Sequence, residues 1–442
     1  MSSQSESSDK LQQDFIDEGA VTPRQLMIIG LCLFFNMLDG FDITAMAVVA
    51  SSVSSELLLS ADKLGWIFSF ALIGMMAGGM ILAPISDLIG RKKLIITALF
   101  LMGVSIIFTA TATTLNEFIA LRFISGLGAG AILASQAALA AEYSPEKYKA
   151  LAVAVVTSGY PLGAMMTSIV ADFILPDFGW RGMFWFGGLL TISMVSIAWA
   201  FVPESLQYLL IRRPAGALVE INKILKKLNK PIIDKLPRLK NQTTLNPSFF
   251  GGMLELLGNK HRLKTVMLWS AFLMIFSTLY FLMSWIPKLM EDAGFSAESG
   301  RMAFLRFNLG GVVGIYLIGW LSTKFRLTNL ILCFAILASF TMVLFAIAPA
   351  DLSILLPLTF VIGIVVQSAF TGLYSSSAKA YPTVIRTTGI GWAIGLGRIG
   401  AVIGPTAAGY LIAMGFGMES LYFVFAVPMV LGGFIAYCLY ID

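Results

Sequence analysis

Apolar runs of about twenty residues recur along the chain, separated by short polar breaks. Their approximate extents are 24–50, 62–86, 93–112, 117–141, 150–172, 182–202, 263–289, 298–322, 328–349, 353–379, 387–413 and 419–440. A helix rises 1.5 Å per residue and needs about 20 apolar residues to cross the hydrocarbon core of a bilayer. The pattern therefore predicts twelve spanning helices. Proline and glycine inside several runs are compatible with this, because neighbouring helices satisfy the freed backbone groups. The expected fold class is an all-α polytopic membrane protein with two pseudo-symmetric six-helix bundles.

The polar segments divide the chain. Residues 1–23 form a polar, acidic N-terminal tail without the basic region or cleavage site of a signal peptide. Thr22-Pro23 then suits the start of a helix, since proline is favoured at its first position. Residues 24–202 hold the first six spans, 203–262 a linker and 263–442 the last six. In the linker, Val219, Ile221, Ile224, Leu225 and Leu228 interleave with Lys223, Lys226 and Lys227. That spacing fits a basic amphipathic helix lying on the inner leaflet, or a solvated connector. The halves echo one another: Ser86-Asp87-Leu88-Ile89-Gly90-Arg91-Lys92 follows the second span and Ser322-Thr323-Lys324-Phe325-Arg326 the eighth. Repeated bundles are the plan of a rocking transporter with substrate bound near mid-membrane.

Composition agrees: 57% of the residues are hydrophobic and 12% charged, against about 45–50% and about 25% in soluble domains. The net charge of +5 does not point to nucleic acid, because the basic residues sit in short loops. Arg91, Lys92, Lys93, Lys147, Lys149, Lys324, Arg326, Arg386 and the linker lie on one side. The other side has only Lys63, Arg181, Lys288 and Arg301. The richer set belongs in the cytoplasm, with both termini. Cys32, Cys333 and Cys438 lie in apolar runs at neither disulfide nor metal spacing, and His261 alone cannot build a metal site. No P-loop or nucleophile–base motif points to an enzyme or an ATP-driven pump.

Several motifs carry a family resemblance. Ala83-Pro84-Ile85-Ser86-Asp87-Leu88-Ile89-Gly90-Arg91-Lys92-Lys93 resembles the G-x-x-x-D-x-x-G-R-[KR] motif of the major facilitator superfamily, with Ala83 at the first glycine. Physically, Asp87 can cap a helix end and pair with arginine, and Gly90 permits a tight turn. The later copy has Thr323 at the aspartate position, which implies a weaker second gate. Arg122, Gly126, Gly128 and Gly130 match the R-x-x-x-G-x-G-x-G motif of the fourth span, whose glycines let another helix approach.

Within the superfamily the chain resembles the aromatic acid:proton symporters of the 4-hydroxybenzoate and benzoate type. Asp39-Gly40-Phe41-Asp42 matches their D-G-x-D signature. Glu142-Tyr143-Ser144-Pro145-Glu146, Gly179-Trp180-Arg181, Pro203-Glu204-Ser205, the segment from Tyr381 to Gly389 and Gly397-Arg398-Ile399-Gly400 are also similar. Pro-Glu-Ser occurs in sugar porters too, so it is weak alone. The resemblance covers nearly everything outside the tail and linker. It implies the major facilitator fold, a monomer in the bacterial inner membrane and uptake of a small aromatic carboxylate with protons by alternating access. It needs no cofactor besides the proton as coupling ion, and it implies gating roles for Asp87, Gly90, Arg91, Lys92, Glu142 and Arg386. The alternatives are transport of another organic acid or a sugar, or a sensor without transport. Drug efflux is disfavoured, because Ser158-Gly159-Tyr160-Pro161-Leu162-Gly163 lacks the G-P motif of those antiporters.

Charges within the spans are the sharpest pointers, since each costs at least about 2.5–3.5 kcal/mol at a helix centre. Asp39, Asp42, Arg122 and Arg398 qualify, with Arg306 a fifth. Asp39 and Asp42, three apart, share a helix face. Arg122, in an antiparallel span, lies at the level of Asp42. These residues either exchange a proton as the arginine moves or form a permanent, packing salt bridge. Arg398, flanked by glycines, offers a planar fork to a substrate carboxylate or to an aspartate, or pairs with helix-end carbonyls. Gln136, Tyr160, Gln367, Tyr374 and Trp392 can supply the hydrogen bonds and apolar walls an aromatic acid needs. Arg306 and Asn308 are candidates for the entrance. Trp66 and Trp285 are candidate interface anchors.

Overall fold

The computed structural model describes residues 16, 21–236, 256–258, 261–381 and 383–439, the side chains of 378, 379 and 383–388 excepted. Most of the expected N-terminal tail, much of the linker and the side chain of Arg386 lie outside the described residues.

Among the described residues, eleven helices are long and apolar enough to cross a membrane. In chain order they begin with α1 (Pro23–Glu56), α2 (Ala61–Ile89), α3 (Arg91–Thr109) and α4 (Leu115–Glu142). Next comes Glu146–Phe201, whose 56 residues would extend about 84 Å as one straight helix. Gly179, at φ 58° and ψ −166°, interrupts it. A residue with a Cβ rarely adopts that conformation. The segment is therefore two crossings, α5 (146–178) and α6 (180–201), and the break falls between the fifth and sixth predicted spans. The remaining helices are α7 (Arg262–Asp292), α8 (Ala297–Leu321), α9 (Leu327–Ile347), α10 (Leu352–Ala380), α11 (Thr383–Ala413) and α12 (Met418–Cys438). Twelve crossings result.

The first helix starts as its sequence requires. Thr22 Oγ1 accepts from the Gln25 amide at 3.3 Å, and Gln25 Oε1 accepts from the Thr22 amide at 2.8 Å. This reciprocal cap satisfies two otherwise orphaned donors, with Pro23 in the first turn.

The halves meet chiefly at the end away from the basic loops. There Ser69 on α2 donates to the Val402 carbonyl on α11 at 2.7 Å and lies 2.5 Å from Thr406 Oγ1. Trp66 donates to Tyr410 at 3.1 Å, and Arg301 on α8 pairs with Asp172 on α5 at 2.7 Å. Nearer the basic loops, Tyr316 on α8 approaches Ser158 on α5 in a long contact of 3.4 Å.

Two expectations need correction. Trp285 is not an interface anchor. It is fully buried, edge-on to Phe68 at 5.3 Å, and donates to the Pro405 carbonyl at 3.0 Å. The predicted amphipathic helix exists as Ala217–Lys227, but its apolar face is not laid into the bilayer. Ile221, Ile224, Leu225 and Leu228 are buried within the protein, while Val219 is exposed.

Candidate functional site

Close helix approach positions the charged centre. The Cα of Gly40 on α1 lies against the Tyr160 carbonyl on α5, and that of Gly163 against the Met37 carbonyl. A Cβ at either position would collide with backbone. The contact fixes Asp39 and Asp42 relative to Tyr160. On the other half, Gly400 places α11 directly on the Leu273 carbonyl of α7, which sets the position of Arg398.

Arg122 and Asp42 meet across α4 and α1. Arg122 Nη1 donates to Asp42 Oδ1 at 2.6 Å, and Nη2 donates to the Asp42 backbone carbonyl at 2.8 Å. Both side chains are essentially inaccessible. One face of the guanidinium lies 6.0 Å from the Phe184 ring. Asp42 Oδ2 and Arg122 Nε have no hydrogen-bond partner among the described residues.

One turn away, Asp39 is fully buried, and neither of its carboxylate oxygens has a hydrogen bond among the described residues. The charged groups near it are Arg398 from the opposite half, with Asp42 and Arg122 from its own. Arg398 is 7% exposed and its Nη1 is likewise without a partner. Tyr280 on α7 lies beside both Arg398 and Tyr160. Elsewhere on α4, Gln136 is also buried, and neither end of its amide has a hydrogen bond among the described residues. Buried polar groups without partners are expensive. Asp39 and Arg398 with Tyr160, all holding partnerless polar atoms among the described residues, mark a place arranged for something other than packing.

Beside this centre stands a wall of rings. Phe272, Phe276 and Tyr280 follow at four-residue spacing on α7, so they share one face. Phe276 stacks on Tyr280 with centroids 5.8 Å apart and packs edge-on against Phe370 at 5.0 Å. Tyr374, on α10, meets Phe272 at 5.3 Å and Phe370 at 5.0 Å. Tyr374 is also within the electrostatic reach of Arg398. Sequence reasoning named Tyr374 but not Phe272, Phe276, Tyr280 or Phe370. The i, i+4, i+8 repeat on the seventh span was the available signal.

The other predicted substrate residues have neighbours of their own. Gln367 rests against the bare Cα of Gly311 on α8, and Trp392 lies 6.4 Å from Trp269 between ring centroids. Asn308 is buried and spends its amide on the Phe304 carbonyl of its own helix at 2.9 Å. No hydrogen bond or ion pair among the described residues joins Arg306 or Asn308 to the Asp39–Arg398 centre.

The motif between α2 and α3 forms a second cluster. Gly90 has φ +101°, and its Cα faces the Glu204 carboxylate. That carboxylate accepts from the Lys92 amide at 3.1 Å and the Ser205 amide at 2.8 Å. Glu204, rather than Asp87, therefore caps α3, where a helix N-terminus favours an anion. Asp87 is exposed and reaches Arg91 only at 4.0 Å. Arg91 instead pairs with Glu142 on α4 and donates to Gln207 at 3.0 Å. Ser205 Oγ donates to Glu142 Oε2 at 2.8 Å. Glu204 and Ser205 thus tie the end of the sixth crossing to the start of α3 and the end of α4, a role their sequence alone did not suggest.

Twelve crossings in two bundles, with buried charged side chains on α1, α4 and α11, define a polytopic transporter. The chain belongs to the Major Facilitator Superfamily, whose family model matches residues 30–348 and 268–442. It is 30% identical to the 4-hydroxybenzoate transporter PcaK of Pseudomonas aeruginosa, over 95% of this chain and 93% of that protein. It is 27% identical to the gallate transporter of Pseudomonas putida, over 94% and 92%. Among solved structures, the inward open xylose transporter XylE from E. coli shares the fold with a TM-score of 0.70. Its identity is 17%, over 93% of this chain and 95% of that one.

Proposed function

We propose that this chain imports a small aromatic carboxylate of the benzoate or hydroxybenzoate class together with protons. It would do so as a monomer in a bacterial cytoplasmic membrane, with the basic loops and both termini inside. The observation that carries this reading is Arg398, a nearly buried cation with no partner at Nη1 among the described residues, close to Asp39 and to the ring of Tyr280 in the aromatic wall. A guanidinium can hold a carboxylate in bidentate fashion, and the rings of Phe276, Tyr280, Phe370 and Tyr374 suit the aromatic body. The relatives named for 4-hydroxybenzoate and gallate support the same substrate class.

In this mechanism Asp39 carries the coupling proton. Arg398 holds either the substrate carboxylate or, without substrate, the Asp39 carboxylate, so loading one releases the other. The Arg122–Asp42 pair holds α1 on α4 and tunes Asp39 from within its own half. The contacts around Ser69 and Thr406 close the outer end, and their release opens it. Arg91, Glu142 and Gly90, with Lys92, hold the inner end of the first bundle as a unit that moves with the gate. A monoanion carried with one proton moves no net charge, so each pH unit supplies about 1.4 kcal/mol.

The test is uptake by the purified protein in liposomes with an inward proton gradient and labelled 4-hydroxybenzoate. Unlabelled aromatic acids, aliphatic acids and sugars compete in turn. Inhibition by aromatic acids alone is expected. Inhibition only by sugars or aliphatic acids would move the substrate to another class.

A further inference from the structure

A cavity of about 340 Å³ lies where α1, α3 and α6 end at the basic-loop face, roofed by the linker helix Ala217–Lys227. Arg24, Lys92, Lys223 and Lys227 line it, with Glu220 as the one carboxylate. Glu220 lies 3.5 Å from Lys223 and, with Glu204, also acts on Lys92, which leaves Arg24 and Lys227 with no ion pair among the described residues. Lys92 donates to the Trp199 carbonyl at 2.7 Å, and an ammonium has two further donors to offer.

The position of this cavity decides what chemistry it meets. Helix α6 ends at Phe201, α1 starts at Pro23 and α3 at Arg91, so three crossings reach the polar edge of the bilayer together. Trp199, on the last turn of α6, is 71% exposed and stands at the mouth. Tryptophan favours this level of a membrane, with its ring against acyl chains and its polar edge at the headgroups. The inner wall, formed by the buried Ile28, Val202 and Ile224, is apolar.

We propose that this cavity binds the phosphate group of an anionic glycerophospholipid from the leaflet beside the basic loops. The cations meet the phosphodiester and glycerol, and the acyl chains run along Trp199 and the outer face of α6. A free phosphate would use the same cations but leave the aromatic rim without a role. Basic pockets at helix ends recognise lipid headgroups in this way. Bound there, the lipid would clasp the linker helix to the first bundle, independently of what the central site carries.

Native mass spectrometry of the purified full chain tests this with phosphatidylglycerol, phosphatidylcholine and inorganic phosphate as probes. The K223Q/K227Q variant changes two exposed residues and keeps the fold, which its melting profile checks. R24Q provides a second, independent variant, and K147Q/K149Q is the control for general charge loss. The wild type is expected to prefer phosphatidylglycerol over phosphatidylcholine by about tenfold, with K223Q/K227Q losing most of that preference and the control keeping it. Inorganic phosphate is expected not to displace the lipid at equal concentration. Equal binding of both lipids, unchanged preference in K223Q/K227Q and R24Q, or full displacement by phosphate would each overturn the proposal.

Discussion

Asp39 on α1 and Arg398 on α11 belong to opposite halves and are both buried, Asp39 with no hydrogen bond to either carboxylate oxygen and Arg398 with none at Nη1 among the described residues. An acidic and a basic side chain, one from each half, are thus buried close enough to act on each other, although the halves must move relative to one another. A contact of this kind is made or broken by rocking, which is what coupling substrate to proton requires. If Arg398 holds the substrate carboxylate with its planar fork, R398K keeps the charge and loses the geometry. We expect its KM for an aromatic acid to rise about tenfold or more, the equivalent of about 1.4 kcal/mol. A KM equal to that of the wild type would remove direct bidentate binding.

The Arg122–Asp42 pair makes a prediction about stability. Removing one partner of a buried ion pair leaves an uncompensated charge and costs about 3–5 kcal/mol. R122Q and D42N should each lower the melting temperature of the detergent-solubilised protein, and the double variant should melt above R122Q. Additive losses in the double variant would mean that the pair at 2.6 Å contributes no coupling.

Gly163 offers a purely steric test. Its Cα touches the Met37 carbonyl, and neither backbone can yield without separating α1 from α5. G163A should therefore cost about 1–3 kcal/mol or more through overpacking, seen as a lower yield of folded protein. Gly30, whose added Cβ meets nothing within 4 Å, should accept alanine without loss.

Glu204 caps α3 from the far end of the first bundle. E204A should destabilise by about 0.5–2 kcal/mol, the usual range for a lost cap. Hydrogen exchange should also speed up at the amides of Lys92 and Ser205, which it holds. Unchanged exchange at both amides would show that the carboxylate is not the cap.

The twelve crossings were legible because a bilayer imposes length and apolarity on every span, so even the turn at Gly179 fell between two predicted runs. Asp39, Asp42, Arg122 and Arg398 were legible for a related reason: charge inside a span is rare enough to stand out. The aromatic wall was not, because phenylalanine in a spanning helix is indistinguishable by type from a residue facing lipid. Only its four-residue spacing distinguishes Phe272, Phe276 and Tyr280. Trp285 misled for the same reason, its indole finding the Pro405 carbonyl instead of the interface. The cap from Glu204 joins residues more than a hundred positions apart, and no local pattern records such a pairing.

The most direct test of the central claim is D39N in liposomes, compared with the wild type for labelled 4-hydroxybenzoate. The wild type is expected to accumulate label under an inward proton gradient and to lose that accumulation with a protonophore. D39N is expected to exchange label across the membrane at equal concentrations but not to accumulate it, because its amide cannot carry a proton. Full gradient-driven accumulation by D39N would contradict the assignment of the coupling proton to Asp39.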